Sequence, residues 1–174
     1  GDEAFAGYPN YPHMLRLEKI RRSLGPLARP VGTVAGYAGD LFGLERTGRY
    51  GHALGRSLEE YYFSRTSTPA ATFNRKAREI FSPSFLAATS GHAAAAFMHR
   101  LLQPVRNASL LDQMLYADTK TWLPDDLLVK ADKITMASSL ELRVPLLDHQ
   151  VLEFAASLPQ EYKVRGKEPK RALK

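Results

Sequence analysis

Residues 123–148 read LPDDLLVKADKITMASSLELRVPLLD, and this stretch decides the fold class. Leu127, Ala131, Ile134 and Ser138 recur at intervals of three and four, the spacing that gathers side chains on one stripe of a helix. Lys130 and Lys133 stand three apart on another stripe, where two cations can meet a polyphosphate. Pro124 suits a helix start, and Asp125 and Asp126 place carboxylates beside the first-turn amides and the positive end of the helix dipole. Further along, Glu141 and Arg143 precede Val144-Pro145, where the proline holds its predecessor extended. The planar Arg143 fork suits a structural ion pair or a substrate carboxylate, and spacing leaves both open.

The same helical period runs outward through most of the chain. It predicts helices near residues 11–24, 28–42, 50–64, 71–80, 92–102, 109–121, 125–139 and 148–156. The Ala-rich run 84–89 is a further helix former. No segment alternates Val, Ile, Thr and aromatics convincingly, so strand content close to nil is expected. Gly25-Pro26, Thr68-Pro69, Ser82-Pro83, Gln103-Pro104 and Leu123-Pro124 punctuate the pattern. Residues 28–48 hold five glycines, in an order that fits neither a dinucleotide fingerprint nor a Walker A loop. A closely packed or mobile helix and its connection is the reading there.

Composition narrows the functional classes. At 174 residues, 44% hydrophobic and 24% charged, the chain suits one globular domain or part of a larger one. The absence of cysteine removes disulfides, thiolate metal sites and a thiol nucleophile. The start, GDEAFAGYPNYP, lacks a signal-peptide pattern, and no window is apolar enough for a membrane span. Net charge is +6, yet the last fourteen residues carry six Lys/Arg against two Asp/Glu and supply +4 of it. A solvated or phosphate-facing tail accounts for that excess better than a nucleic-acid surface.

Each end of the chain holds a cluster of chemically capable groups. GDEAFAGY, residues 1–8, sets Asp2 and Glu3 behind a glycine and then enters a small-residue turn. Adjacent carboxylates can hold Mg²⁺ together with substrate phosphates, or simply sit at a helix start. YKVRGKEPKRALK, residues 162–174, clusters Lys167, Lys170, Arg171 and Lys174 after Gly166. A lysine there can stabilise charge on a transferring phosphoryl or acyl-phosphate group, or be a solvated basic end.

Taken in order, these segments resemble the C-terminal synthetase region of the asparagine synthetase family. GDEAFAGY resembles the end of the family's Ser-Gly-acid-Gly-x-Asp-Glu-x-Phe-x-Gly-Tyr segment. Residues 123–148 resemble its long signature ending in Glu-x-Arg-Val-Pro-x-Leu-Asp, and GKEPKRALK its Gly-x-x-x-Lys-x-x-Leu-basic element. Leu146-Leu147 stands where the family pattern carries an aromatic-containing pair. The stretch from Pro9 to Gln113 is much less diagnostic.

The resemblance implies a mainly α-helical fragment of an α/β ATP-pyrophosphatase-type (adenine nucleotide alpha hydrolase-like) synthetase domain, covering residues 1–174. It implies that an aspartate β-carboxylate attacks the α-phosphate of Mg-ATP, and that glutamine-derived ammonia captures the resulting β-aspartyl-AMP. Asp2, with Glu3 beside it, is then the expected metal site. Lys170 is expected to stabilise the phosphate and the later adduct, with Lys167 a close competitor. Asp132, Lys133 and Lys130 carry over as site-organising residues, and Glu141 and Arg143 mainly as architecture.

The family's Ser-Gly-Gly-x-Asp-Ser loop and its N-terminal glutaminase do not occur in these residues. The chain is therefore expected to be a fragment that binds ATP and Mg²⁺ poorly and does not catalyse alone. Aspartate, ammonia and ATP are the expected substrates of the whole enzyme, which is expected in the cytoplasm without nucleic-acid or membrane partners; a homo-oligomer is left open. Two other readings stand beside this one. The first is a related amidotransferase or lactam-forming synthetase with another acceptor, which a basic Tyr–Glu pair such as Tyr8 or Tyr116 with Glu141 would favour. The second is a non-catalytic helical interaction module.

Overall fold

A computed structural model describes residues 1–57, 62, 77–89, 94–166 and 168–174. The chain divides into two compact units, Gly1–Leu15 with Pro104–Lys174, and Arg16–Gln103. Among the described residues there are ten α-helices and no strand, only an isolated bridge between Arg165 and Glu168. No helix among them is long and apolar enough to cross a membrane.

In the first unit, α1 (Asn10–Leu24) starts after the acidic turn and continues into the second unit. Ser109 caps the helix Leu110–Lys120 by accepting from Asp112 N at 3.2 Å, which satisfies one of the amides a helix start leaves open. Its inward face buries Leu111, Met114, Leu115, Ala117 and Asp118. The helix His149–Ser157 is likewise capped, Asp148 Oδ1 accepting from Gln150 N at 2.9 Å. Its Ala155 packs with Ala4 and Phe5, and Val151, Leu152 and Leu158 close over that cluster. Burying a phenylalanine such as Phe5 stabilises by about 1.5–3 kcal/mol, so this small core holds the acidic turn against the helix.

The signature stretch departs from its expected form. Instead of a helix opening at Asp125 under carboxylate caps, residues Leu123–Leu128 form a π-helical turn with Pro124 near its start, and no side chain caps it. Asp126 pairs forward with Lys130 at 2.5 Å, the helical i,i+4 spacing, rather than with first-turn amides. The α-helix proper is Val129–Met136. Its expected apolar stripe is only partly covered: Leu127 and Ala131 are half-buried, whereas Ile134 is 68% exposed.

In the second unit, α2 (Ala28–Leu41) and α3 (Glu45–Leu54) form a helical hairpin joined by a turn at Gly43. The glycines at 32, 36, 39, 48 and 51 are all buried, so close packing is what the glycine-rich stretch provides. A Cβ on Gly32 would lie 2.7 Å from Gly51 O and 2.9 Å from Gly55 N, so the helices approach backbone to backbone there. α3 begins five residues before the expected residue 50 and ends at Leu54; residues 58–61 and 63–64 of that predicted helix lie outside the described residues. So do residues 71–76 of the predicted 71–80 helix, which is helical over Ala77–Ile80, and residues 92–93 of the predicted 92–102 helix, helical over Ala94–Leu102.

Two further helices are Pro83–Thr89 and Gln160–Lys163, the second not anticipated because one turn is too short to show a period.

Candidate active site

The acidic segment is wound into a tight coil rather than the first turn of α1. Phe5 N donates to Gly1 O at 3.0 Å and Gly7 N to Asp2 O at 2.8 Å, and Ala6 adopts a left-handed φ of 55° with none of its surface exposed. A non-glycine residue in that conformation is held there by its surroundings. The coil sends neighbouring carboxylates in opposite directions. Glu3 turns inward, only 2% exposed, and its Oε1 accepts from the Tyr8 hydroxyl. Asp2 turns outward, its side chain 31% exposed.

At the other end of the chain, Gly166, with φ 61°, reverses direction between Arg165 and Glu168, whose backbones exchange hydrogen bonds of 3.1 and 3.0 Å. Lys170 follows with φ 56° and lays its ammonium on Asp2 Oδ1. Acid and base from opposite ends of the chain therefore meet within one unit. Both remain partly hydrated, so the pair contributes at most about 1 kcal/mol and stays exchangeable.

Around this pair, buried polar contacts hold the framework. Tyr11 donates to Asp118 Oδ2 at 2.5 Å, a buried contact between α1 and the helix Leu110–Lys120. Lys163, 1% exposed, donates to Asp112 Oδ1 at 2.9 Å and to Ala156 O at 3.4 Å. Beside them lies a cavity of about 320 Å³, whose wall includes Glu3, Leu115, Tyr116, Leu152 and Lys163.

The remaining expected residues are placed differently. Asp132, Lys133 and Lys130 are all exposed on the helix Val129–Met136, and no described hydrogen bond or ion pair joins them to Asp2 or Lys170. Glu141 and Arg143 pair with each other at 2.6 Å on the surface, 71% and 84% exposed, which contributes little to stability. Tyr8 therefore partners Glu3, not Glu141. Lys167 lies outside the described residues. Spacing alone gives no role to Gly7 or Lys163, since their contacts with Lys170 and Asp112 are remote in sequence.

A nucleotide-bound Mg²⁺ takes one or two carboxylates and completes its shell with phosphate oxygens and water. Asp2 fits that demand, being outward and balanced by an exchangeable ammonium, whereas the Glu3 carboxylate is engaged inside the coil. Among the described residues no three or more His, Asp or Glu side chains gather into an all-protein metal cluster.

The family profile described as asparagine synthase matches residues 1–174. The chain belongs to the asparagine synthase family. A putative glutamine-hydrolysing asparagine synthetase of Mycobacterium tuberculosis is 33% identical across 99% of the chain and 25% of its own length. Asparagine synthetase 1 of Bacillus subtilis is 50% identical over 32% of the chain and 9% of its own length. A putative asparagine synthetase 1 of Methanocaldococcus jannaschii is 54% identical over 21% of the chain and 7% of its own length. The chain thus spans about a quarter of the length of the mycobacterial relative. No solved structure matches it significantly. Asparagine synthase membership accords with the mainly helical, strand-free architecture of the described residues.

Proposed function

We propose that this chain is the C-terminal helical portion of the synthetase domain of a glutamine-hydrolysing asparagine synthetase, a carbon–nitrogen ligase built on the ATP-pyrophosphatase-type fold. The whole enzyme would adenylate the aspartate side chain with ATP and pass ammonia from glutamine onto it, giving asparagine, AMP and pyrophosphate. The observation that carries this reading is the Asp2–Lys170 pair in a chain of this family. Exposed apolar residues Ile134, Met136, Leu140, Leu142 and Leu146 suit a face that the parallel sheet of the intact domain would cover.

In this reading Asp2 would hold the Mg²⁺ at the pyrophosphate end of the nucleotide, and Lys170 would move from Asp2 to the phosphate on which charge develops. Mg²⁺, when bound, supplies Lewis-acid charge neutralisation at the departing pyrophosphate. Glu3, held by Tyr8, keeps the coil wound so that Asp2 stays outward. Asp132, Lys133 and Lys130 would help to organise the site, and Lys167 is the alternative to Lys170 as the functional lysine. The work of the protein is positioning and electrostatics, the principal sources of rate in phosphoryl-group chemistry. A cytoplasmic enzyme working without nucleic acid or membrane fits this chemistry.

The test is aspartate-dependent formation of AMP and asparagine by the intact protein, compared with Lys170→Ala. The variant is expected to lose synthetase turnover by about 10²-fold or more while glutamine hydrolysis persists. Unchanged turnover removes Lys170 from the mechanism. AMP formation with a different carboxylate, and none with aspartate, replaces asparagine synthesis by another acceptor. The 174-residue chain alone is expected to form no asparagine, because the phosphate-cradling Ser-Gly-Gly-x-Asp-Ser run is not in its sequence.

A further inference from the structure

We propose that Gly7 is a positioning residue whose missing side chain is the space through which Lys170 reaches Asp2. A Cβ built on Gly7 would fall against Lys170 Cε and the Asp2 carboxylate, 2.6 Å from Asp2 Cγ. Separations under 3 Å require something to move, and here the atoms in the way belong to the acid and the base themselves. The Gly7 backbone is not left-handed, unlike Gly25, Gly43 and Gly166, so alanine could adopt its conformation without strain. Space, not backbone freedom, is what glycine supplies at this position.

The coil explains why the space lies there. Gly7 N donates to Asp2 O at 2.8 Å, so the coil closes on itself and residue 7 comes to rest beneath the Asp2 side chain. Lys170 then crosses over Gly7 with its aliphatic stem and ends on the carboxylate, and its own left-handed φ of 56° sets the approach. With a methyl group at position 7, either Lys170 is lifted from Asp2 or Asp2 is rotated away. The coil can persist, held by Phe5 in the core and by Tyr8 on Glu3. The inference rests on the proposed function for its catalytic meaning, while the placement itself is testable without catalysis.

Trace acetylation of the intact protein with acetic anhydride, without nucleotide, reads that placement directly. Modification of Lys170 is measured by peptide mass spectrometry relative to the exposed Lys19. Gly7→Ala is expected to raise Lys170 acetylation by up to about fivefold, the population change an exposed ion pair commands, and to match Asp2→Asn. Combined with Asp2→Asn it is expected to add nothing further. Wild-type acetylation in Gly7→Ala, or an additive increase in the double variant, overturns the proposal. Should Gly7→Ala not fold, truncating the crossing side chain with Lys170→Ala is expected to restore folding; continued misfolding assigns Gly7 to the fold instead. Asparagine formation is scored separately on the unmodified protein, so a failure of the functional reading leaves the acetylation result standing, and the reverse.

Discussion

Lys163 and Asp112 form a pair that is dry at one end and wet at the other: their Nζ and Oδ1 lie 2.9 Å apart, with the lysine side chain 1% exposed and the aspartate 41%. Removing each partner therefore has unequal consequences. Asp112→Ala strands a buried ammonium with only Ala156 O at 3.4 Å, and the loss of one partner of a buried pair costs about 3–5 kcal/mol. Lys163→Met keeps the volume and leaves Asp112 within reach of water, so a cost under about 1.5 kcal/mol is expected. Denaturant unfolding of the two variants checks the order, and equal losses would show that the charge at position 163 is solvated.

The Tyr11–Asp118 contact is buried at both ends, the residues being 0% and 1% exposed. Tyr11→Phe keeps the ring and deletes only the donor. A hydrogen bond to a charged acceptor contributes about 1.5–3 kcal/mol, and a loss of that size in unfolding free energy is expected. A loss below half a kilocalorie would mean that the carboxylate had found another donor of equal quality.

At Gly32, two effects of opposite sign compete. Alanine improves helix propensity by about 1 kcal/mol over glycine, but overpacking a tight interface costs about 1–3 kcal/mol. The neighbours, Gly51 O at 2.7 Å and Gly55 N at 2.9 Å, are backbone atoms that cannot rotate aside, so the cost wins. Gly32→Ala is expected to lower the thermal midpoint. A midpoint raised by the substitution would show that α2 and α3 are farther apart in solution.

Glu18 accepts from Arg21 at 2.7 and 2.9 Å and from Arg22 at 2.9 Å. The Arg21 hydrogen bond, with Arg22 assisting and against partial desolvation, holds its carboxyl below the ordinary 4.5. A carboxyl lowered on folding contributes stability that is complete above its unfolded value and disappears as pH falls through the folded one. Glu18→Gln is accordingly expected to be less stable than the parent at neutral pH and to converge with it in acid. Urea titrations at neutral pH and well below pH 4.5 compare the two limits, and a gap that widens in acid contradicts the assignment.

Most helices were legible because helical period is a local property. The caps at Ser109 and Asp148 fall where the start of a periodic run meets a polar residue, and the ends of α1 and α2 lie within a residue or so of expectation. The opening of α3 was missed because Thr47, Gly48 and Gly51 weaken the pattern, and the close packing that makes the helix worthwhile comes from α2. The π-helical turn at Leu123–Leu128 was missed for a related reason: a proline beside two aspartates reads as a cap until the pairing of Asp126 with Lys130 is seen.

By itself, the sequence determined the helical character, the punctuation and the family, all written in residue order and in spacings of four or fewer. It also named Asp2 and Lys170 as chemically capable groups. Only the tertiary structure decided that these two meet and that Glu3 turns inward to Tyr8. Those outcomes depend on left-handed backbone at Ala6, Gly166 and Lys170 and on the Phe5 core that holds the coil. Periodicity carries no record of such dihedrals, because they are imposed on the chain by contacts between residues far apart in the sequence.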